Sequence, residues 1–355
     1  MKALLFVISF LSIHAIACTT FQVRNSEEKL VAKGFDWNQS HGMVVVNQRR
    51  MAKESLAVKE TDRVTRWTST YGSVTLNQYG REFPLSGMNE RGLVVEIMWA
   101  GSGQPAADDR GTLNELQWIQ YQLDNYATVE EVIRHVPDVR ISWVYANVHY
   151  LVCDATGSCG TVDIDSGNVV THSGAQMAVN TLTNDLYSES VAQLRRYTGF
   201  GGTLPIPMGD GSFERFVRVS DLVRRYQPSA TAMNVGWAFS VIEGVRQDSM
   251  WHVVYNVRDR AISWKTRDRR QEKTINARDF NFACSSAEPN PRPVKALDMN
   301  LLAQGDVTDR LGNYSDADNR VMVEAALRDK LDVLPPGVVD LVSRFPSGRT
   351  RCVDR

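Results

Sequence analysis

The chain lacks a charge excess of either sign. Lys and Arg number 40 against 41 Asp and Glu, giving a formal net charge of −1, and nothing in that balance invites nucleic acid or an anionic membrane. No internal repeat and no low-complexity block interrupts it. Neither its six histidines (His14, His41, His135, His149, His172 and His252) nor its cysteines fall into a metal-ligand spacing, so no zinc site, metal or cofactor is expected. No histidine arrangement points to a general base either. The leading apolar run, Ala3 to Ala17, is about 15 residues long, short for a ~30 Å bilayer core, so no stable membrane anchor is expected. With 355 residues, 43% hydrophobic and 23% charged, the composition fits an ordinary globular protein of one large or two modest domains.

The apolar run itself is informative. One positive charge, Lys2, precedes it, and it ends in Ala15-Ile16-Ala17, a small-x-small cleavage pattern. Residues 1–17 therefore read as a signal peptide, and the protein as periplasmic or secreted. Cleavage after Ala17 leaves Cys18 with its thiol and a free α-amino group on one residue, a nucleophile carrying its own base. A second reading makes Cys18 the lipid-attachment residue of a lipoprotein. Ala15 stands where lipoprotein signals favour Leu, and Thr19-Thr20-Phe21-Gln22-Val23 alternates like a strand rather than a tether.

Five cysteines in an exported chain leave one thiol over. Cys153 and Cys159 flank a strand-turn-strand pattern that a disulfide could clip, and Cys284 with Cys352 could tie the tail down. Those two bridges would leave Cys18 free.

Strand patterns crowd the first half: 19–23, 29–35, 43–47, 73–76, 92–98, 144–152 and 160–162. Leu113, Leu116, Trp118, Ile119, Leu123 and Tyr126 recur at helical spacing. Thr128 and Glu131 form a capping box before a short second helix. Further helices are expected at 188–197, 213–226 and 319–331, and a hairpin at 251–264. A surface connection is expected at 285–293, and a solvated turn at Arg267-Asp268-Arg269-Arg270. Strands, then helices, then strands predict α+β layers rather than a βαβ alternation.

Five segments, in order and at compatible spacing, carry a resemblance. Cys18-Thr19-Thr20-Phe21 with Ala32-Lys33-Gly34-Phe35-Asp36-Trp37, then Met88-Asn89-Glu90-Arg91-Gly92-Leu93, are the first two. Leu182-Thr183-Asn184 with Leu194-Arg195-Arg196-Tyr197, Ser212-Phe213-Glu214-Arg215-Phe216, and Met250-Trp251-His252-Val253-Val254-Tyr255 complete the set. Together they resemble the choloylglycine hydrolases and penicillin V acylases, N-terminal-nucleophile amidases, over Cys18 to about Phe282.

The resemblance implies a four-layered αββα fold over 18–284, with 285–355 a C-terminal extension on the same domain or a neighbouring subunit. It implies Cys18 as nucleophile, Asp36 orienting its ammonium, and Asn184 with the Trp99 main-chain N–H as oxyanion donors. Arg215 would fix the N-terminus, and Lys33, standing where the family usually has Arg, would supply charge without the bidentate fork. Trp37 and Trp99 would wall an acyl pocket, as in the Gram-negative branch. The implied partner is a small acyl amide: penicillin V, an N-acyl homoserine lactone or a conjugated bile salt. A homo-tetramer is also implied. Acyl transfer to an amine on the same scaffold, and a lipid-anchored periplasmic binding protein, are the alternative readings.

Overall fold

Immediately after Cys18, Thr19–Arg24 pairs antiparallel with Lys29–Phe35, Thr19 opposite Gly34 and Arg24 opposite Lys29. The turn between them is closed by Asn25, whose side chain accepts from the N–H groups of Glu27 (2.8 Å) and Glu28 (2.6 Å), an Asx turn. The computed structural model describes residues 18–100, 103–226, 234–285, 292–332 and 334–353. The expected signal segment 1–17 lies outside the described residues.

Those two strands sit in a seven-stranded sheet ordered Thr181–Leu182, Thr19–Arg24, Lys29–Phe35, Trp251–Asn256, Ala261–Thr266, Lys273–Asn276, Gly305–Asp306. A nine-stranded sheet runs Asn168–Ser173, Cys159–Asp165, Val148–Cys153, Val94–Trp99, Pro84–Asn89, Ser73–Asn77, Met43–Asn47, Lys295–Asp298, Gly312–Asn313. Side chains alternate across each strand. Val31, Phe35, Val253 and Tyr255 therefore join the main core, which also holds Val94, Met98 and Met88 of the nine-stranded sheet. Phe21, Val23, Leu30, Ala32 and Val254 form a separate core with helix residues Val219, Phe239 and Ile242.

Helices α1 (Glu115–Asn125) and α2 (Val129–His135) pack on the nine-stranded sheet. Helices α4 (Ser212–Arg225) and α5 (Val235–Val245) pack on the other, with α3 (Tyr187–Leu194) against α4. The result is the expected α+β sandwich, helices outside two stacked sheets. Helix α1 starts later than its apolar spacing suggests, because Leu113 belongs to a strand, Gly111–Asn114, paired in parallel with Val139–Ser142. Asn114 caps it by accepting from the N–H groups of Leu116 and Gln117, and the Thr128–Glu131 capping box opens α2 as expected.

Two helices carry little sequence signal. Helix α5 is apolar around most of its circumference and contains Gly236 and Gly244, whereas α7 (Val338–Arg349) holds Pro346 and Gly348 near its end. Both patterns suppress a helix reading. Helix α7 packs against α6 (Asp316–Leu327). From residue 292 onward the chain adds Lys295–Asp298 and Gly312–Asn313 to the nine-stranded sheet and Gly305–Asp306 to the seven-stranded one, so it is woven into the same body. Disulfides join Cys153 to Cys159 and Cys284 to Cys352, and Cys18 is a free, buried thiol. Arg267 to Arg270 form an exposed turn.

Candidate active site

Cys18 lies at the head of the first strand, in the core cluster that contains Val31 and Phe35. Its thiol points to the Asp36 carbonyl at 4.0 Å. Burial pushes the thiol above its ordinary pKa. The Lys33 ammonium is the strongest opposing influence, the Asp36 charge adds to the rise, and Arg215 draws it down.

Lys33 pairs with Thr20 in the strand register and so faces the inter-sheet space. Its Nζ lies 3.0 Å from Glu96 and donates to the Ile97 carbonyl, crossing from one sheet to the other. Glu96 is pushed up to about 7 by burial, with Lys33 the main opposing charge and the nearby Tyr255 and Ser86 hydroxyls also drawing it down. The lysine is therefore a fixed cation beside the thiol rather than a mobile one.

Asp36 follows the second strand and is 5% exposed. Burial lifts its carboxyl to about 6, against the nearby Ser249 hydroxyl and the charges of Arg246 and Arg215. Arg246 Nε stands 3.4 Å from its Oδ1. The sequence reading missed Arg246 and Ser249, which sit on the link between α5 and the Trp251–Asn256 strand.

Ser212 and Arg215 are three apart on α4 and so share a helix face. Ser212 Oγ accepts from the Asn184 N–H at 2.9 Å. Arg215, wholly buried, donates to the Asn184 side-chain oxygen at 3.1 Å and to the Cys18 carbonyl at 3.4 Å. A surface partnership of Arg215 with Glu214 or Asp221, the reading a helical arginine invites by default, is thus excluded. Asn184 Nδ2 in turn donates to the Trp99 carbonyl at 2.9 Å. Asn184 does not cap α3, whose N-cap position is Leu186. Ala100 N–H donates to the carbonyl of Asn147, just ahead of the neighbouring strand Val148–Cys153, at 3.0 Å. Because successive peptide groups alternate in direction, the N–H of Trp99 faces away from that strand, as its carbonyl does.

One histidine supports this loop. His149 Nδ1 lies 2.7 Å from Asp163 and Nε2 lies 2.7 Å from the Thr183 carbonyl. A carbonyl can only accept, and the Asp163 carboxyl is held far below its usual range by His149, His172 and Thr161 despite burial. His149 thereby ties Asp163 to the carbonyl of the residue before Asn184. Nothing in the spacing of the histidines signalled this, since Asp163 and Thr183 lie 14 and 34 residues away.

Cys18 opens onto a cavity of about 190 Å³ walled almost entirely by apolar side chains, among them Phe35, Trp37, Tyr79, Leu85, Trp99 and Tyr145. Trp37 stands between Phe35, Trp99 and Tyr145, with ring centroids 6.3, 5.6 and 6.0 Å away. Its Nε1–H donates to the Tyr79 hydroxyl at 2.6 Å, which gives the ring's polar edge a partner. Tyr145 is held by its loop: Glu115 accepts from the N–H groups of Val144 (2.8 Å), Tyr145 (2.7 Å) and Ala146 (3.1 Å). Tyr79, Tyr145 and Glu115 were not singled out in the sequence. Of the residues that were, Cys18, Trp37 and Trp99 line this cavity, while Lys33, Asp36, Asn184 and Arg215 reach Cys18, Ile97 or Trp99 through the contacts above.

A family model described as linear amide C-N hydrolases, choloylglycine hydrolase family, matches residues 18–210, more than half of the chain. Penicillin V acylase of Pectobacterium atrosepticum is 24% identical over 237 residues, covering 61% of this chain and 62% of that protein. The match thus spans less than two thirds of that relative's length. The structure of penicillin V acylase from Agrobacterium tumefaciens is similar at a TM-score of 0.71 and 25% identity, over 84% of this chain and 98% of that one. A variant conjugated bile acid hydrolase from Clostridium perfringens has the same fold, with a TM-score of 0.61 and 15% identity over 77% of this chain and 100% of that one. The chain belongs to the linear amide C-N hydrolases of the choloylglycine hydrolase family.

Proposed function

We propose that the protein is an exported amidase that hydrolyses linear C–N amide bonds of N-acylated small molecules through an N-terminal Cys18 acyl-enzyme. The observation that carries this reading is a free thiol lining an apolar cavity, under the charges of Lys33, Asp36 and Arg215, with Asn184 held by Arg215.

Removal of residues 1–17 releases the Cys18 α-amino group, with a reference pKa of ~7.7–8.0. It takes the thiol proton as sulfur attacks the amide carbonyl carbon. The Asp36 carboxylate orients the resulting ammonium. Negative charge builds on the former carbonyl oxygen, and Asn184 Nδ2 meets it with the hydrogen that Trp99 does not take, alongside the Trp99 N–H. An oxyanion donor of this kind contributes roughly 3–4 kcal/mol. The C–N bond breaks, the ammonium gives its proton to the leaving amine, and water then hydrolyses the thioester to a carboxylic acid and the free thiol.

Acyl groups that bury flat or greasy surface suit the Trp37 and Trp99 walls, at ~25 cal/mol per Å². Penicillin V and N-acyl homoserine lactones are the first substrates to try, and conjugated bile salts the next. Intact mass and N-terminal sequencing of the exported protein test the activation step: a free, unlipidated Cys18 is expected, and a lipid-shifted mass overturns it. Amide hydrolysis that survives Cys18→Ala overturns the chemistry.

A further inference from the structure

Part of the cavity wall comes from far outside the family-matched segment. Leu327, Leu334, Val338 and Val342 line the same cavity as Cys18 and Trp37, all more than a hundred residues beyond position 210. We propose that the C-terminal helix pair is the acyl-selecting wall of the enzyme, with Val338 and Val342 setting the length and bulk of the acyl group accepted. This rests on the amidase reading above and adds the residues that choose its substrate.

Helix geometry supports the assignment. Val338, Val342 and Phe345 recur at i, i+4 and i+7 of α7 and so lie on one face. The first two meet the cavity, and Phe345 packs on Phe83, itself a cavity residue, at 5.4 Å. Leu341, at the flank of that face, is 52% exposed and does not line the cavity. The wall contributes only hydrocarbon, so what it selects is the apolar half of the substrate.

The pair is held by specific contacts. Asn319 of α6, wholly buried, accepts from the Arg81 N–H at 2.9 Å and donates to the Ser343 carbonyl of α7 at 2.7 Å. It thereby links both helices to the turn between Tyr79 and Phe83. That turn needs Gly80, which has φ +103° and on which an added Cβ would meet Val323 of α6 at 3.2 Å. Past α7, Thr350–Cys352 pairs with Met51–Glu54, and Cys352 is bridged to Cys284. The wall is fastened on both sides of the residues that face the cavity.

Size makes the wall decisive. An apolar cavity of ~150 Å³ holds one benzene ring, so about 190 Å³ leaves room for little more than a ring and its linker, or a chain of equal volume. A change of a few carbon atoms at Val342 alters a large share of that space.

The test is calorimetric binding of butyrate, octanoate and dodecanoate to the full chain, with Val342→Phe, Val342→Ala and Leu341→Phe beside the parent. Val342→Phe is expected to weaken dodecanoate about tenfold relative to butyrate, and Val342→Ala to shift preference towards the longer acid. Leu341→Phe is expected to leave the series unchanged. Should Val342→Phe fail to fold, Val342→Ala decides alone. An identical chain-length series in the parent and in Val342→Ala overturns the proposal. If the parent cleaves no acyl amide yet the series still shifts, the amidase reading fails and the selecting wall stands.

Discussion

Arg215 donates to the side-chain oxygen of Asn184 at 3.1 Å, and this bond fixes which way the Asn184 amide points. With its oxygen committed to a guanidinium, the amide nitrogen must face Trp99 and the space beside Cys18. Arg215→Met removes that constraint and the contact with the Cys18 carbonyl. It is expected to lower kcat 10²–10³-fold, in the range of losing one oxyanion donor, ~2.7–4 kcal/mol. Asn184→Ala should match it, and the double variant should be little worse than either. Additive losses in steady-state kinetics would separate the two residues.

Asp36 is expected to set the acid side of activity. Its carboxyl, pushed up to about 6 by burial, takes up a proton as pH falls through that value and releases the ammonium it orients. Turnover is therefore expected to drop below about pH 6. Stability runs the other way. The folded chain binds this proton more tightly than the unfolded chain, whose Asp titrates near 3.9, so the group's contribution is fully present below about pH 4 and is lost as pH rises to about 6. Asp36→Asn should abolish turnover and flatten that part of the stability–pH curve, both measurable on one preparation.

Lys33 and Glu96 form a buried pair across the sheets at 3.0 Å. Removing one partner strands the other, which typically costs ~3–5 kcal/mol. Lys33→Met is expected to destabilise strongly, and Lys33→Met with Glu96→Leu to recover much of the loss without recovering activity. Denaturant unfolding of the two variants decides this.

His149 bridges Asp163 and the Thr183 carbonyl through its two ring nitrogens, each at 2.7 Å. His149→Gln can serve at most one of them. It is expected to lower kcat at least tenfold, with KM for the acyl amide little changed, because the acyl cavity does not include it. An equal rise in KM would place the effect in the cavity instead.

Cys284 and Cys352 close a loop of 68 residues. On the chain-entropy model such a bridge contributes about 4 kcal/mol. Cys352→Ser should lower the melting temperature and raise amide exchange first in α7.

The groups proposed for catalysis were legible because short motifs carry them: Cys18 at a strand head, Asp36 at a strand end, and Arg215 in the Ser212-Phe213-Glu214-Arg215-Phe216 segment. Local patterning likewise marked the paired strands and the Thr128 cap. The supporting residues were not legible. Glu96 sits in an ordinary apolar strand, and only the stacking of the two sheets brings it to Lys33. Arg246 and Ser249 follow a helix whose all-round apolarity and glycines hide it. The wall of α7 was missed because Pro346 and Gly348 look like a helix end.

The order of synthesis adds a consequence to the placement of Val338 and Val342. The ribosome delivers the nucleophile strand long before the acyl wall, which the Cys284–Cys352 bridge then fastens. A chain cut before α7 keeps its thiol and the Asn184 loop while its cavity lies open on one side. Nonsense variants and C-terminal proteolysis would therefore give a reactive thiol with reduced discrimination before they give an inert protein.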